Sequence, residues 1–334
     1  MYRGLPIETP MFWRRWFPNM VMSTNEYIQF SKIWGHKRLA PLVVPTAQGR
    51  PIYGESETVD QFKPAYVKPK DAVHPERVIR RMPGLGELGA MTPLTPLQRH
   101  DALVADIMRE HGETIDRRKE WLCAKALIDG KVTLEDDAYP STVIDFRRDA
   151  GHTVILVGNA RWGQAGVEPF DHIQEWSLRM ARSRFGSMPT DCLMGPGVWE
   201  EWQKSPKVQE LMNTEIRQTD GTMMNFGIRS ADDAQIMGLL SGRIRIWVYT
   251  GNYEEPDGTS VDYLGDNELL LVNDNVMGTM AYGAILDKGA EFQPLPIFPK
   301  MWEDDDPPGT VIMCQSAPLA VPVHPNNTLK ATVK

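Results

Sequence analysis

Residues 84–89 read Gly84-Leu85-Gly86-Glu87-Leu88-Gly89, the G-x-G-x-x-G spacing that lets backbone N–H groups approach a dinucleotide pyrophosphate. That chemistry needs a buried strand before the loop and a helix opening inside it. Here Arg80-Arg81-Met82-Pro83 precedes the glycines, and Thr92-Pro93-Leu94-Thr95-Pro96 breaks any helix starting there, so the string reads as a joint. Glu303-Asp304-Asp305-Asp306 offers carboxylates to a divalent cation, but no ligand-bearing loop pattern surrounds it, and a solvated acidic loop is expected. The seven histidines and three cysteines never fall at zinc-ligand spacing. No phosphate-cradling G-x-x-x-x-G-K-[ST] loop, G-x-S-x-G elbow or H-E-x-x-H pair is present. Asn326-Asn327-Thr328 is a glycosylation sequon with meaning only in a secreted chain. No catalytic, cofactor-binding or metal-binding residue is assigned, and no cofactor is expected.

The chain that would have to position such groups has 334 residues, 42% hydrophobic and 24% charged, enough for about two domains and a substantial core. No apolar run approaches the ~18 residues of a membrane span. The first 20 residues scatter Arg3, Arg14 and Arg15 among aromatics, without the apolar segment of a signal peptide. Cys123, Cys192 and Cys314 are odd in number and far apart, which favours a reducing folding environment over a disulfide framework. The net charge of −8 argues against a dedicated nucleic-acid binder.

Charge is unevenly spread. Residues 1–40 carry +4, residues 41–61 carry −2, residues 62–82 carry +4, and the remainder −14. A basic leading quarter before an acidic body fits nucleic-acid binding or a self-complementary surface between copies. Residues 1–40 also hold eight of the 29 aromatics, among them Trp13 and Trp16, broken by Pro6, Pro10 and Pro18 with no sustained period. Such a segment cannot form a core alone. It must dock, either on its own domain or, the expectation preferred here, on a partner surface.

Pro41, Pro45, Pro51, Pro64, Pro69 and Pro75 punctuate short β-like runs up to about Pro83, which reads as an extended two-stranded excursion. The clearest helix follows over 96–129, with Thr95 as N-cap, Pro96 at the first position and Gly130 as stop. Leu97, Val104, Ile107, Met108, His111, Ile115, Leu122 and Ala126 form one stripe, His111 reading as a satisfied core histidine and Gly112 as the site of a bend. Strands are predicted over 131–134, 142–146, 153–157, 192–194, 243–249 and 268–272, and helices over 169–185 and around Trp199 and Val208. In 243–249, Ile244, Ile246 and Val248 alternate with Arg243, Arg245 and Trp247, so one face is expected to be buried. Helices and strands are segregated, an α+β pattern.

Several strings carry a resemblance. Phe62 to Lys70 (FKPAYVKPK), continuing to His74-Pro75 and Arg80-Arg81-Met82-Pro83, closely resembles a segment of the major capsid proteins of lambda-like tailed bacteriophages, the phage capsid E family. Pro299 to Trp302 (PKMW) and Gln315 to Leu319 (QSAPL) look like that family's closing strand, and Tyr249 to Tyr253 (YTGNY) is similar to its hairpin in the outer domain, with order and spacing agreeing from about residue 20 to 320. The resemblance implies the Hong Kong 97-type capsid fold. On it, the N-terminal arm is about 1–40, the extended loop 41–75, the peripheral domain 76–159 with a spine helix 96–129, the axial domain 160–290, and the return to the peripheral domain 291–334.

It further implies a structural, non-enzymatic subunit that assembles with itself into hexamers and pentamers of an icosahedral head around double-stranded DNA, in the bacterial host cytoplasm. The procapsid would mature by expansion, with a portal, a scaffolding protein and a small decoration protein as partners, and no membrane. Trp13, Trp16 and Tyr66 are expected as apolar interface anchors, and Lys68, Lys70, Arg80 and Arg81 as basic contacts to a neighbour's acidic surface. Non-covalent cementing is implied rather than isopeptide cross-links from Lys63, Lys68 or Lys70. A shell around packed polyanion is expected to present an acidic or neutral lumen. The rival readings are a cargo compartment of the same fold and a soluble enzyme supported only by the glycine string.

Overall fold

The computed structural model describes residues 10–25, 27–34, 56–79, 95–136, 139–210, 228–229, 234–240, 242–306 and 308–334. Its longest element is helix α3, Pro96–Ile128. Thr95 closes a capping box at its start: Oγ1 accepts the Gln98 N–H at 3.3 Å, and the Gln98 side-chain oxygen accepts the Thr95 N–H at 3.0 Å. At its end the Arg148 guanidinium donates to the Leu127 and Ile128 carbonyls, both at 2.9 Å, and Gly130 turns the chain away at φ +68°. A Cβ at Gly130 would meet Arg148 Nε at 2.8 Å, so the stop needs glycine for conformation and for space. The helix runs unbroken through Gly112, and Leu97 projects into solvent rather than joining the stripe.

Helix α3 serves two cores. Its last turns place Leu122, Cys123, Ala126 and Leu127 in the largest cluster. Its first half lays Leu103 and Ile107 on Val73, Val78 and Ile312. These belong to β4 (Lys70–Val73), α2 (Pro75–Ile79) and β17 (Pro308–Gln315). A three-stranded sheet in the order β16-β17-β4 lies there, with β16 spanning Phe298–Asp305. His111 is buried, and its Nε2 lies 3.0 Å from Asp71 on β4.

The centre is a seven-stranded sheet in the order β7-β19-β14-β8-β11-β10-β9. Its strands are β7 (Thr153–Ile155), β8 (Asp191–Met194), β9 (Ile228–Arg229), β10 (Ala234–Leu240), β11 (Ile244–Tyr249), β14 (Glu268–Val272) and β19 (Thr328–Thr332). β8 runs parallel to β11 and β7 parallel to β19; the other pairs are antiparallel. One face packs Cys192, Met194, Leu269 and Leu271 against Trp162, Trp176 and Trp202, the last two from α4 (Pro169–Arg182) and α5 (Pro196–Lys204). The other face turns Leu193, Leu270, Val272 and Trp247 into the core shared with α3. Sequence alternation on β11 predicts one buried face, yet Trp247 is only 4% exposed. The sheet is covered on both sides, and the indole fills the second layer.

A smaller sheet has the order β1-β15-β18, with β1 (Asn19–Met22) parallel to β15 (Gly278–Tyr282) and β18 (Pro318–Pro322) antiparallel to it. Three hairpins complete the described strands: β2 (Ile28–Trp34) with β3 (Ser56–Phe62), β5 (Lys131–Asp136) with β6 (Tyr139–Asp145), and β12 (Asn252–Glu254) with β13 (Ser260–Asp262). The acidic run, expected as a loop, instead continues β16: Asp304 pairs with Gly309 and Asp305 with Pro308, with all four carboxylate residues exposed. Helices and strands segregate, so the fold is α+β.

Candidate assembly surface

The N-terminal segment is held at three points. Helix α1 (Met11–Trp16) begins after Pro10, which makes no side-chain cap. Its first three N–H groups instead point at the Glu120 carboxylate of α3: Met11 and Phe12 donate to Oε1 at 2.8 and 2.6 Å, and Trp13 to Oε2 at 2.8 Å. Glu120 is 4% exposed, and burial raises its carboxyl against the pull of these N–H groups and of Arg14, to about 7. At the second point, Arg15 donates to the buried Asp191 carboxylate of β8, which also accepts from Arg245 and the Trp247 indole. At the third, β1 adds its strand to β15, leaving Met20, Val21 and Met22 exposed and no described strand on its outer side.

A second surface is built where the chain returns from β3. Phe62 sets its ring edge-on to Phe146, with centroids 5.8 Å apart. Tyr66 donates its hydroxyl proton to the Ala284 carbonyl and accepts the Leu286 N–H at 2.6 Å. Val67 and Ser316 exchange backbone hydrogen bonds of 2.8 and 3.0 Å, which joins two of the strings quoted above, residues 62–70 and 315–319. The second string is buried throughout. Above it Lys68 Nζ lies 4.9 Å from the Tyr66 ring centroid, and Lys70 Nζ lies 5.5 Å from that of Trp302. Both lysines are exposed.

The structure therefore separates the predicted interface residues. Lys68 and Lys70 share one exposed strip beside the half-buried Tyr66, whose hydroxyl is committed to its own chain. Trp16 is 1% exposed, packed with Phe12 and Phe17 in its own core; the expectation that it reaches a neighbour is corrected by that packing. Trp13 is half-buried under Lys119, whose Nζ lies 4.9 Å from its ring centroid. Arg80, Arg81 and the glycine string 84–89 lie outside the described residues. Sequence reasoning missed Glu120 and Asp191; a glutamate inside a helix and a lone aspartate before a strand give no signal of partners more than 100 positions away. Cys123, Cys192 and Cys314 are free and buried, and no group of three His, Cys, Asp or Glu able to hold a metal occurs among the described residues. No helix among them is long and apolar enough to cross a membrane.

One long helix beside a two-layered sheet domain, a second small sheet and a two-stranded ribbon near an N-terminal strap define a capsid subunit of the Hong Kong 97 type. The chain belongs to the phage major capsid protein E family, whose model matches residues 3–333. It is 26% identical to the major capsid protein of Escherichia phage lambda, over 95% of this chain and 92% of that protein. The same values hold for the major capsid protein of Escherichia phage N15. The fold matches the crystal structure of the putative capsid protein of a prophage of E. coli CFT073, with a TM-score of 0.72, 24% identity and coverage of 97% and 93%. It also matches the mature capsid of bacteriophage PhiM1, with a TM-score of 0.56, 12% identity and coverage of 99% and 89%. Its class is therefore structural, a protein of the phage head.

Proposed function

We propose that this chain is the repeating subunit of an icosahedral phage head, non-catalytic, assembling with copies of itself into hexamers and pentamers around double-stranded DNA. The ribbon of β2 and β3 carries this reading. Its strands pair with each other and with no other described strand, and its described anchors on the body are Ile28 and Phe62 at the base. A two-stranded ribbon is marginally stable alone in water, so a neighbour's surface is its natural support.

On this reading α3 is the spine of the peripheral domain, the β16-β17-β4 sheet belongs with it, and the seven-stranded sheet forms the axial domain. That sheet draws in β7 and β19, so the axial domain takes strands from outside residues 160–290, and the C-terminal strand does not return to the peripheral domain as expected. Lys68 and Lys70, with Arg80 and Arg81, face acidic surface of the adjacent subunit, and Tyr66 shapes the strip that bears them. Exposed ion pairs contribute ~0–1 kcal/mol each and set register more than affinity. The procapsid expands on maturation, the lumen is acidic or neutral, and portal, scaffolding and decoration proteins are the partners. Sedimentation of the purified protein tests the reading: fast-sedimenting particles that boil down to single subunits are expected. A species that stays monomeric at every concentration, or a boiling-resistant ladder, speaks against non-covalent assembly.

A further inference from the structure

We propose that the loop 286–293 is an interface knob, led by Phe292, that seats in a pocket between the 65–68 segment, α3 and β5 of a second copy of this chain. The proposal rests on the head-subunit reading and names one contact within it.

The knob is rigid and strained. Phe292 is 57% exposed and Leu286 65%. Glu291 and Phe292 both hold left-handed backbone, at φ +52° and +58°. That conformation strains a bulky side chain, and an exposed phenyl ring gains nothing from water to offset it. The loop is nonetheless fixed. The Ile285 N–H donates to the Gln293 carbonyl at 3.1 Å across its base. Inside it the Asp287 carboxylate accepts the Gly289 N–H at 2.8 Å, Lys300 Nζ at 2.7 Å and Gln315 Nε2 at 3.1 Å. A shape set before any partner arrives keeps the ordering cost of binding small.

The pocket has a volume of about 160 Å³. Leu122, Leu134 and Pro318 are its buried apolar lining, and Lys68, Arg118, Glu135 and Asp136 its charged lining. An apolar cavity of about 150 Å³ holds one benzene ring, so the space suits a phenyl side chain. Arg118 Nη2 stands 3.8 Å from Asp136, beyond hydrogen-bond reach, and Lys68 lies exposed over the Tyr66 ring. Both cations therefore keep donors for an incoming carboxylate.

Charge and position name the occupant. The knob carries Lys288 and Glu291, both exposed, beside Phe292, and so matches the two signs around the pocket. Tyr66 lines the pocket while its hydroxyl bonds the Ala284 carbonyl and the Leu286 N–H, which sets knob and pocket side by side on one face. Phe292 does not line the pocket of its own chain. Copies related by a rotation axis each seat Phe292 in the next copy's pocket until the ring closes. Glu291 then meets Arg118 and Lys68 of the neighbouring copy, and Lys288 meets its Glu135.

Sedimentation of the full-length protein over a range of concentrations tests this. Phe292→Gly removes the ring and relieves the left-handed backbone. It is expected to raise the concentration at which particles form about tenfold or more, while the thermal midpoint of the dissociated subunit stays level or rises. Arg118→Glu and Glu291→Arg are each expected to weaken assembly, and the double variant to recover most of the loss. Assembly of Phe292→Gly at the wild-type concentration overturns the proposal and leaves the head-subunit reading intact. So do additive losses in the charge-reversed pair. A lowered midpoint in Phe292→Gly also overturns it, because the ring then serves its own fold. A wild type that never assembles contradicts the reading itself, and the proposal with it.

Discussion

Arg15 and Asp191, 176 positions apart, are joined by two hydrogen bonds of 2.9 and 3.0 Å from one guanidinium nitrogen to both carboxylate oxygens. The Asp191 side chain is fully buried and also accepts Arg245 Nε and Nη2 at 2.8 and 2.9 Å and the Trp247 indole at 2.8 Å. The carboxylate thus ties the strap to the edge of β8 and to β11. Asp191→Asn keeps the volume but lacks the charge, and it leaves donors facing donors. A loss of about 1–3 kcal/mol in chemical denaturation is expected. The two arginines are partly exposed and recover some solvation, which keeps the cost below that of a fully buried ion pair.

The two strap carboxylates act at opposite ends of the pH scale. Burial would raise the Asp191 carboxyl, but Arg245, Trp247 and Arg15 outweigh it and hold the group below its ordinary 3.8. A depressed acid contributes stability above its unfolded value and loses it as pH falls through the folded one. Wild-type stability is therefore expected to drop below about pH 4, with that drop flattened in Asp191→Asn. Glu120, whose folded value is raised, stabilises most fully below its ordinary 4.5, and that contribution is gone above about 7. Denaturation midpoints measured from pH 3 to 9 separate the two.

Two glycines should respond oppositely to alanine. A Cβ at Gly278 would lie 2.2 Å from the Trp16 carbonyl oxygen and 2.7 Å from the Phe17 ring, because the strap crosses the start of β15 there. Gly278→Ala is expected to cost about 1–3 kcal/mol and to loosen the strap in hydrogen exchange. A Cβ at Gly112 meets nothing within 4 Å, and the helix is regular through it. Gly112→Ala is expected to gain about 0.5–1 kcal/mol from helix propensity alone.

Replacing residues 29–61 by a short Gly-Ser link, with Ile28 and Phe62 retained, removes the ribbon and spares its base. Ile28 is buried in the main core and Phe62 packs against it, so the body is expected to unfold cooperatively as before. Assembly is expected to be lost, read as a subunit-sized species in sedimentation. Normal particles from this variant would remove the ribbon from the interface.

The parts legible in the sequence are those whose causes are local. Thr95-Pro96 and Gly130 mark α3 to within a residue because caps and stops act over one turn. Glu268–Val272 is plain because a buried strand is a continuous apolar run. The β16–β17 hairpin shows no strand period, because of its prolines and acidic end; only the resemblance of PKMW marks a strand there, and pairing with β4 makes those residues a sheet. The aromatic start announced that Trp13 and Trp16 must dock somewhere but not on what. The acceptors that decide it, Glu120 and Asp191, are set by tertiary contact alone.

Negative-stain microscopy of the purified protein tests the head-subunit reading most directly. Round, closed shells tens of nanometres across are expected, with the ribbon-deleted variant giving none. Discrete single subunits in the wild type, under conditions where the fold is intact, would contradict it.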